Sequence, residues 1–288
     1  INTTQINSSY NFTSGTSFAA PHVSGAAALL LQKNPELQND EIKSLLMTTV
    51  QPVSNAYGQE FSLHESGSGR LDISNAYKAK LIINPTNFVI NLSPNQLSIE
   101  KQLEMKLIEG ELGKINVKFE GPEFIEFTHN IKNNNLLMEL NIIGEKFGEH
   151  EGKIFINHEK IQYTIPVLIH HTEGSISAYE ENEKIFFEIN HPDKWSSAKI
   201  TVTNSKNGNT YSITATPDKK TSLEIYENGE YWIDAKIRVD ENISNAFDTI
   251  KITSLPEEMK LTNIPEKQII LVISAIIIIG TAGLFIRK

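Results

Sequence analysis

The sequence predicts a multidomain chain: a helical N-terminal segment, two all-β sandwich domains in series, and one transmembrane helix at the C-terminus. Three observations predict it. Residues 17–33 are apolar on every face, as in a helix buried all round. Short runs that alternate apolar and polar residues recur from 87 to 253, with turn-prone pieces between them and no helical pattern. Residues 269–286, IILVISAIIIIGTAGLFI, are 18 consecutive residues without a charge.

The N-terminal segment (residues 1–81) opens on polar residues and then on TSGTSFAAPHVSGAAALLLQ, residues 13–32. Small side chains at Ala19, Ala20, Gly25, Ala26, Ala27 and Ala28 let neighbouring elements approach this helix closely. The stretch NPELQ breaks the pattern. Residues 40–50, DEIKSLLMTTV, then form an amphipathic helix with Ile42, Leu45, Leu46 and Thr49 facing inward and acidic residues in its first turn. Ser17 lies where the first helix starts. A serine hydroxyl attacks only when a base takes its proton, and its oxyanion needs fixed donors, which the unpaired N–H groups of a helix start supply. Gly15 allows a tight turn into the helix and close approach of a substrate backbone. The residues alone leave two readings open, a nucleophile or an N-cap serine, and N-caps are the commoner.

The first sandwich (82–172) is read from NFVINL at 87–92, LEMKLI at 103–108, INVKF at 115–119, LLMELNII at 136–143 and the hairpin region 154–169. There Ile161, Tyr163, Ile165, Val167 and Ile169 alternate with Gln162, Thr164, Pro166 and Leu168, the period of a half-buried strand. The second (173–255) is read from KIFFEI, AKITVTN, TYSITAT, SLEIY, EYWIDAKIRV and DTIKIT. SKNGNT and YENGEY carry Asn-Gly pairs suited to tight hairpin turns. His158 with the adjacent His170 and His171 could suggest a metal, but consecutive strand residues point to opposite faces.

Residues 256–267 form a linker and 268–286 the membrane span, which at about 1.5 Å per residue reaches roughly 27 Å of a ~30 Å hydrocarbon core. A buried core helix is the alternative. Arg287 and Lys288 form a short basic tail after the span, so the positive-inside rule puts that tail in the cytoplasm and the bulk of the chain outside it. An exported, anchored domain without an export signal implies that an N-terminal part precedes Ile1.

Composition excludes several classes. With 39% hydrophobic and 21% charged residues the chain is ordinary globular material. The net charge of −9, with no Lys/Arg stripe, argues against a nucleic-acid partner. The absence of cysteine excludes disulfides, thiolate metal sites and Cys nucleophiles.

SGTSFAAPHVSGAAALL resembles the serine motif of the subtilisin-like serine proteases, in which Gly-Thr-Ser precedes a small-residue pair, Pro-His-Val and a helix. PELQNDEIKSLLMTTVQPV resembles the family's next helix, and GSGRLDISNAYKA at 67–79 the strand and helix that close its catalytic domain. The resemblance implies that residues 1–81 are the C-terminal fragment of an α/β subtilisin-like catalytic domain. It implies Ser17 as nucleophile and oxyanion donor through its backbone N–H, and Thr16 as a supporting donor. Gly15, Pro21 and His22 are then structural members of the motif. His22 sits five residues beyond Ser17, roughly 140° around the helix, so it is no candidate base. His64 falls on a surface-like loop where the family varies. In the family the triad Asp and His and the oxyanion Asn all lie far upstream of the serine. The 16 residues before Ser17 contain neither Asp nor His, so this chain alone is expected to be inactive.

GEHEGKIFINHEKIQYTIPVLIHH resembles the last hairpin of fibronectin- or immunoglobulin-like modules that follow many cell-surface subtilases. The expected function is thus a membrane-anchored, extracytoplasmic serine endopeptidase acting on protein or peptide substrates, with the sandwiches as spacers. The alternative is an anchored adhesion or structural protein with a non-catalytic subtilase remnant. No cofactor is expected from the residues; calcium, common in the family, has no assignable ligands. Asn2, Asn7, Asn11, Asn91 and Asn242 begin Asn-x-Ser/Thr sequons open to glycosylation outside the cell.

Overall fold

The computed structural model describes residues 2–253 apart from 7, 145, 182, 183 and 226. The chain divides into two compact units, the first ending at Thr172 and the second beginning at Glu173. The predicted linker, membrane span 268–286 and basic tail lie outside the described residues, as does Asn7. Among the described residues no helix is long and apolar enough to cross a membrane.

The first unit starts with a hairpin of β1 (Asn2–Gln5) and β2 (Ser9–Phe12). Helices α1 (Thr16–Lys33), α2 (Asn39–Thr48), α3 (Leu63–Ser66) and α4 (Ile73–Lys78) follow. Eight strands then build two sheets: β3 (Leu81–Asn84), β4 (Phe88–Leu92), β5 (Ser98–Leu107), β6 (Ile115–Glu120), β7 (Ile125–Lys132), β8 (Asn135–Ile142), β9 (Gly148–His158) and β10 (Ile161–His171). One sheet has the order β3-β5-β8-β7 and the other β4-β10-β9-β6. The chain passes from the first to the second between β3 and β4, where the Asn84–Pro85 peptide is cis. Alternate residues of facing strands (Leu136, Met138 and Leu140 of β8, Ile154 and Ile156 of β9, Tyr163 and Ile165 of β10) fill the space between the sheets.

The helices share this core. Leu30 of α1, Ile42 and Leu45 of α2 and Ala76 of α4 join the same hydrophobic cluster as the sandwich. Strand β3 lies at the edge of its sheet, and α2 covers that edge. The buried Ser44 hydroxyl donates to Ile83 O at 2.8 Å and accepts from Ile83 N at 2.8 Å, so both free backbone groups of that residue are satisfied. On the inner side, the Tyr163 phenol oxygen accepts from Lys80 N and Leu81 N at 3.1 and 3.0 Å. Burial raises its pKa above the usual 10.0 even though these two N–H groups pull the other way.

Three expectations need correction. Helix α1 is not buried all round: only Ala26 and Leu30 are buried, whereas Val23, Leu29 and Leu31 are 49%, 43% and 38% exposed. A single neighbouring face, made by α2 and α4, covers only one stripe of an apolar helix. The stretch around His64 is a turn of helix rather than loop, because Ser62 and Glu65 form a reciprocal capping box. Strand β10 is buried on both faces over much of its length, including Thr164 and Pro166; besides the sandwich interior, α2 packs against it. Pro166 is tolerated there since the parallel pairing with β4 begins only at Val167.

The second unit contains β11 (Ser175–Glu181), β12 (Lys184–Asn190), β13 (Ser197–Asn204), β14 (Thr210–Ala215), β15 (Thr221–Glu224), β16 (Gly229–Val239) and β17 (Asn242–Ile252). Its sheets have the orders β11-β12-β15 and β14-β13-β16-β17 and share a core of Ile185, Phe187, Ile200, Val202, Tyr231, Ile233 and Ile237. At the start of β16 the Tyr231 hydroxyl donates to Glu227 O at 2.8 Å, tying the strand to the turn before it. The β13–β14 connection uses its Asn-Gly pair differently from a two-residue turn. Asn204 Oδ1 accepts from Lys206 N and Asn207 N, Gly208 N returns to Asn204 O, and only Gly208 takes a positive φ, +73°. In the other pair, Gly229 has no positive φ and simply opens β16.

Candidate functional site

Ser17 is the second residue of α1, and Gly15, not Ser17, is the N-cap. The serine is therefore not capping the helix. Its side chain is exposed. Phe18 N–H turns back to Gly15 O at 3.0 Å, which leaves Thr16 and Ser17 N–H directed out of the helix start without an intrahelical acceptor. Both donors that the sequence suggested thus lie at one helix mouth, where the dipole favours negative charge and no acidic residue of the first turn opposes it. Pro21, inside the helix, has no N–H to give to the carbonyl four residues back, that of Ser17.

The structure places the other motif residues as follows. Gly15 has an extended backbone (φ 163°, ψ 155°), and a Cβ there would meet only Phe18 at 3.6 Å. The turn into the helix opens at Gly15, whose O takes the Phe18 N–H at 3.0 Å, and among the described residues only Phe18 stands near the place of a Cβ there. His22 is exposed and its Nδ1–H donates to Phe18 O at 2.7 Å, bound to its own helix and not to Ser17. The sequon residues Asn2, Asn11, Asn91 and Asn242 are all exposed, on β1, β2, β4 and β17.

The structure does not bring His158, His170 and His171 together. His158 pairs with Ile161 at the turn of the β9–β10 hairpin, whereas His170 and His171 stand opposite Glu149 and Gly148 at its other end. The buried His171 donates through Nδ1 to Lys146 O at 3.1 Å. Sequence reasoning set His64 aside, yet its Nε2 lies 2.7 Å from Glu149 Oε1, and together with Glu151 these ligand atoms fall within 4.8 Å of one another. No spacing signal could have revealed this, since 85 residues separate His64 from Glu149.

What these residues can do alone is limited. The helix mouth offers a hydroxyl and two N–H donors, and among the described residues no histidine or carboxylate is hydrogen-bonded to Ser17. Comparison with known proteins gives the arrangement its context. Residues 1–99 match the subtilase family, peptidase S8. The match runs past the predicted fragment end at 81 into β3 and β4. Over 86 residues the chain is 38% identical to the subtilisin-like protease SBT1.6 of Arabidopsis thaliana, covering 27% of this chain and 11% of that protein. It is 32% identical over 79 residues to the minor extracellular protease Vpr of Bacillus subtilis, covering 27% of this chain and 10% of that protein. The autotransporter lipoprotein NalP of Neisseria meningitidis is 56% identical over 39 residues, 14% of this chain and 4% of that protein. The chain thus spans only about a tenth of the length of the first two relatives. Among solved structures, a two-domain fibronectin type III segment of chicken tenascin overlies 60% of this chain and 97% of its own at 11% identity, with a TM-score of 0.25 that carries no assignment.

Proposed function

We propose that this chain is the C-terminal part of a membrane-anchored, extracytoplasmic subtilisin-like serine endopeptidase. In it Ser17 forms the acyl-enzyme, and the Ser17 and Thr16 N–H groups help hold the oxyanion. The observation that carries the reading is the position of Ser17: exposed, unbonded and second in α1, inside the segment that matches the subtilases. The base, its orienting carboxylate and the oxyanion asparagine would come from sequence outside this chain. The exposed apolar residues of α1 on either side of its buried stripe (Leu29 on one, Val23 and Leu31 on the other) are then where the rest of the catalytic domain packs. Protein or peptide is the substrate, and residues 268–286 span the membrane with Arg287 and Lys288 inside.

The strand orders support a narrower reading of the two spacers. In the first, a first strand split between the sheets gives β3-β5-β8-β7 against β4-β10-β9-β6, an immunoglobulin-type arrangement. In the second, three strands face four, and Tyr231 makes the tyrosine-corner bond at the start of the penultimate strand, as in fibronectin-type modules.

The test is labelling with a fluorophosphonate probe. Joined to a subtilase N-terminal half that supplies Asp, His and Asn, the chain should be labelled at Ser17, and Ser17→Ala should abolish labelling. The chain alone should react slower by several orders of magnitude, since a triad serine without its base loses most of its rate. Equal labelling of the Ser17→Ala protein would sink the assignment. Absence of labelling in the completed domain would favour the adhesion reading.

A further inference from the structure

We propose that His64, Glu149 and Glu151, with His170 beside them, form a binding site for a divalent transition-metal ion of the zinc type, which clamps α3 to the β9–β10 hairpin. Glu149 and Glu151 are two apart on β9 and therefore project from one face. His170 stands directly opposite Glu149 on β10, its Nδ1 3.5 Å from Glu149 Oε2. From the helical segment, His64 brings Nε2 to 2.7 Å from Glu149 Oε1. Glu151 takes the N–H of Leu63, one residue before His64, on both carboxylate oxygens at 3.0 and 2.9 Å, and this sets where α3 sits against β9.

Charge makes this cluster unlike an ordinary surface ion pair. Among the described residues no lysine or arginine pairs with Glu149 or Glu151; the nearby Lys153 is engaged by Glu60 instead. Two carboxylates thus lie with their ligand atoms within 4.8 Å of each other and of an imidazole, Glu149 ion-paired only with histidines and Glu151 bonded by the Leu63 N–H. That imbalance is what a dication relieves. Imidazole nitrogen with carboxylate oxygen is a donor set suited to zinc, whereas calcium takes oxygen alone. Around a tetrahedral zinc with bonds of about 2.0–2.2 Å the donors sit roughly 3.3–3.5 Å apart, so the close His64–Glu149 pair opens slightly and the more distant donors close. His64 and Glu149, 59% and 41% exposed, are free enough to do so and leave the ion a path from solvent.

The site is tested on the full, untagged chain in detergent after chelator treatment, by zinc titration calorimetry and thermal unfolding. One zinc per chain should bind and raise Tm. His64→Ala and Glu149→Gln should each weaken binding by about tenfold or more, while His129→Ala, on exposed β7, should leave it unchanged. Because Glu151 also holds Leu63 N, Glu151→Gln is read against circular dichroism of the metal-free protein. Zinc should also slow proteolysis of the α3 segment in the parent chain and not in His64→Ala. Failure to saturate at one zinc per chain, binding undiminished in both His64→Ala and Glu149→Gln, or calcium binding as tightly as zinc would each overturn the proposal.

Discussion

Ser44 joins α2 to β3, Tyr163 joins β10 to the start of β3, and each satisfies buried backbone groups. Ser44→Ala leaves the N–H and C=O of Ile83 without partners at a covered sheet edge, and Tyr163→Phe does the same to Leu81 N. An orphaned buried polar group costs about 1–3 kcal/mol, more than the net worth of the bond it made. Both variants should therefore unfold at lower denaturant by that amount, with m unchanged in urea melts. Neither role was legible from the sequence. Ser44 sits on the inward side of an amphipathic helix where only apolar positions are counted, and Tyr163 counts as one more apolar residue of an alternating strand. Ser17 was legible for the opposite reason, since its neighbours Gly15, Pro21 and His22 are local in sequence and need no fold to be recognised together.

The elements themselves followed their local chemistry closely. The acidic first turn at Asp40 and Glu41 marks α2, and Asp72 caps α4 by accepting from Asn75 N at 2.9 Å. Hydrogen bonding from Lys106, then from Gln38 N, holds the Glu41 carboxyl below its ordinary 4.5. Asp72 is held below 3.8, first by Asn75 N–H and also by Gln51. A carboxyl with a lowered folded pKa stabilises fully above its unfolded value, and that stability is lost as pH falls through the folded value. Stability should accordingly decline on acidification from about pH 5 downward, and Glu41→Gln or Asp72→Asn should flatten that limb in urea melts across pH. Asp72→Ala should cost about 1 kcal/mol at neutral pH as a lost N-cap. Strand lengths were less legible than strand positions. The start of β5, all of β7 and β11, and the first half of β17 carry charged or polar residues on exposed faces, so apolar alternation marks only their buried parts. Burial of α1 was misjudged because an apolar composition says what a helix can pack against, not what is beside it.

Among the described residues the buried hydrophobic side chains fall into two separate cores, one containing Ile154 with the helices and one containing Ile200. The sequence showed the break at Glu173-Gly174 as a gap between strand runs. It could not show that residues before 81 share the first core, because Leu30, Ile42 and Leu45 join the sandwich residues only through tertiary packing. Gly69 illustrates the same point: at φ +134° its missing Cβ would lie 2.6 Å from Gln51 O, so the connection between α2 and α4 closes only around a glycine. Gly69→Ala should destabilise the first core and leave the second intact. Truncation of a buried isoleucine costs about 2–5 kcal/mol, and effects at sites without shared partners add. Ile154→Ala should therefore lower amide protection across β8, β9 and β10, and Ile200→Ala across β13 and β16. The double variant should show the sum of the two in hydrogen exchange. Loss of protection in β13 and β16 from Ile154→Ala alone would mean that the two cores unfold as one cooperative unit, and the division at Glu173 would then be one of geometry without thermodynamic consequence.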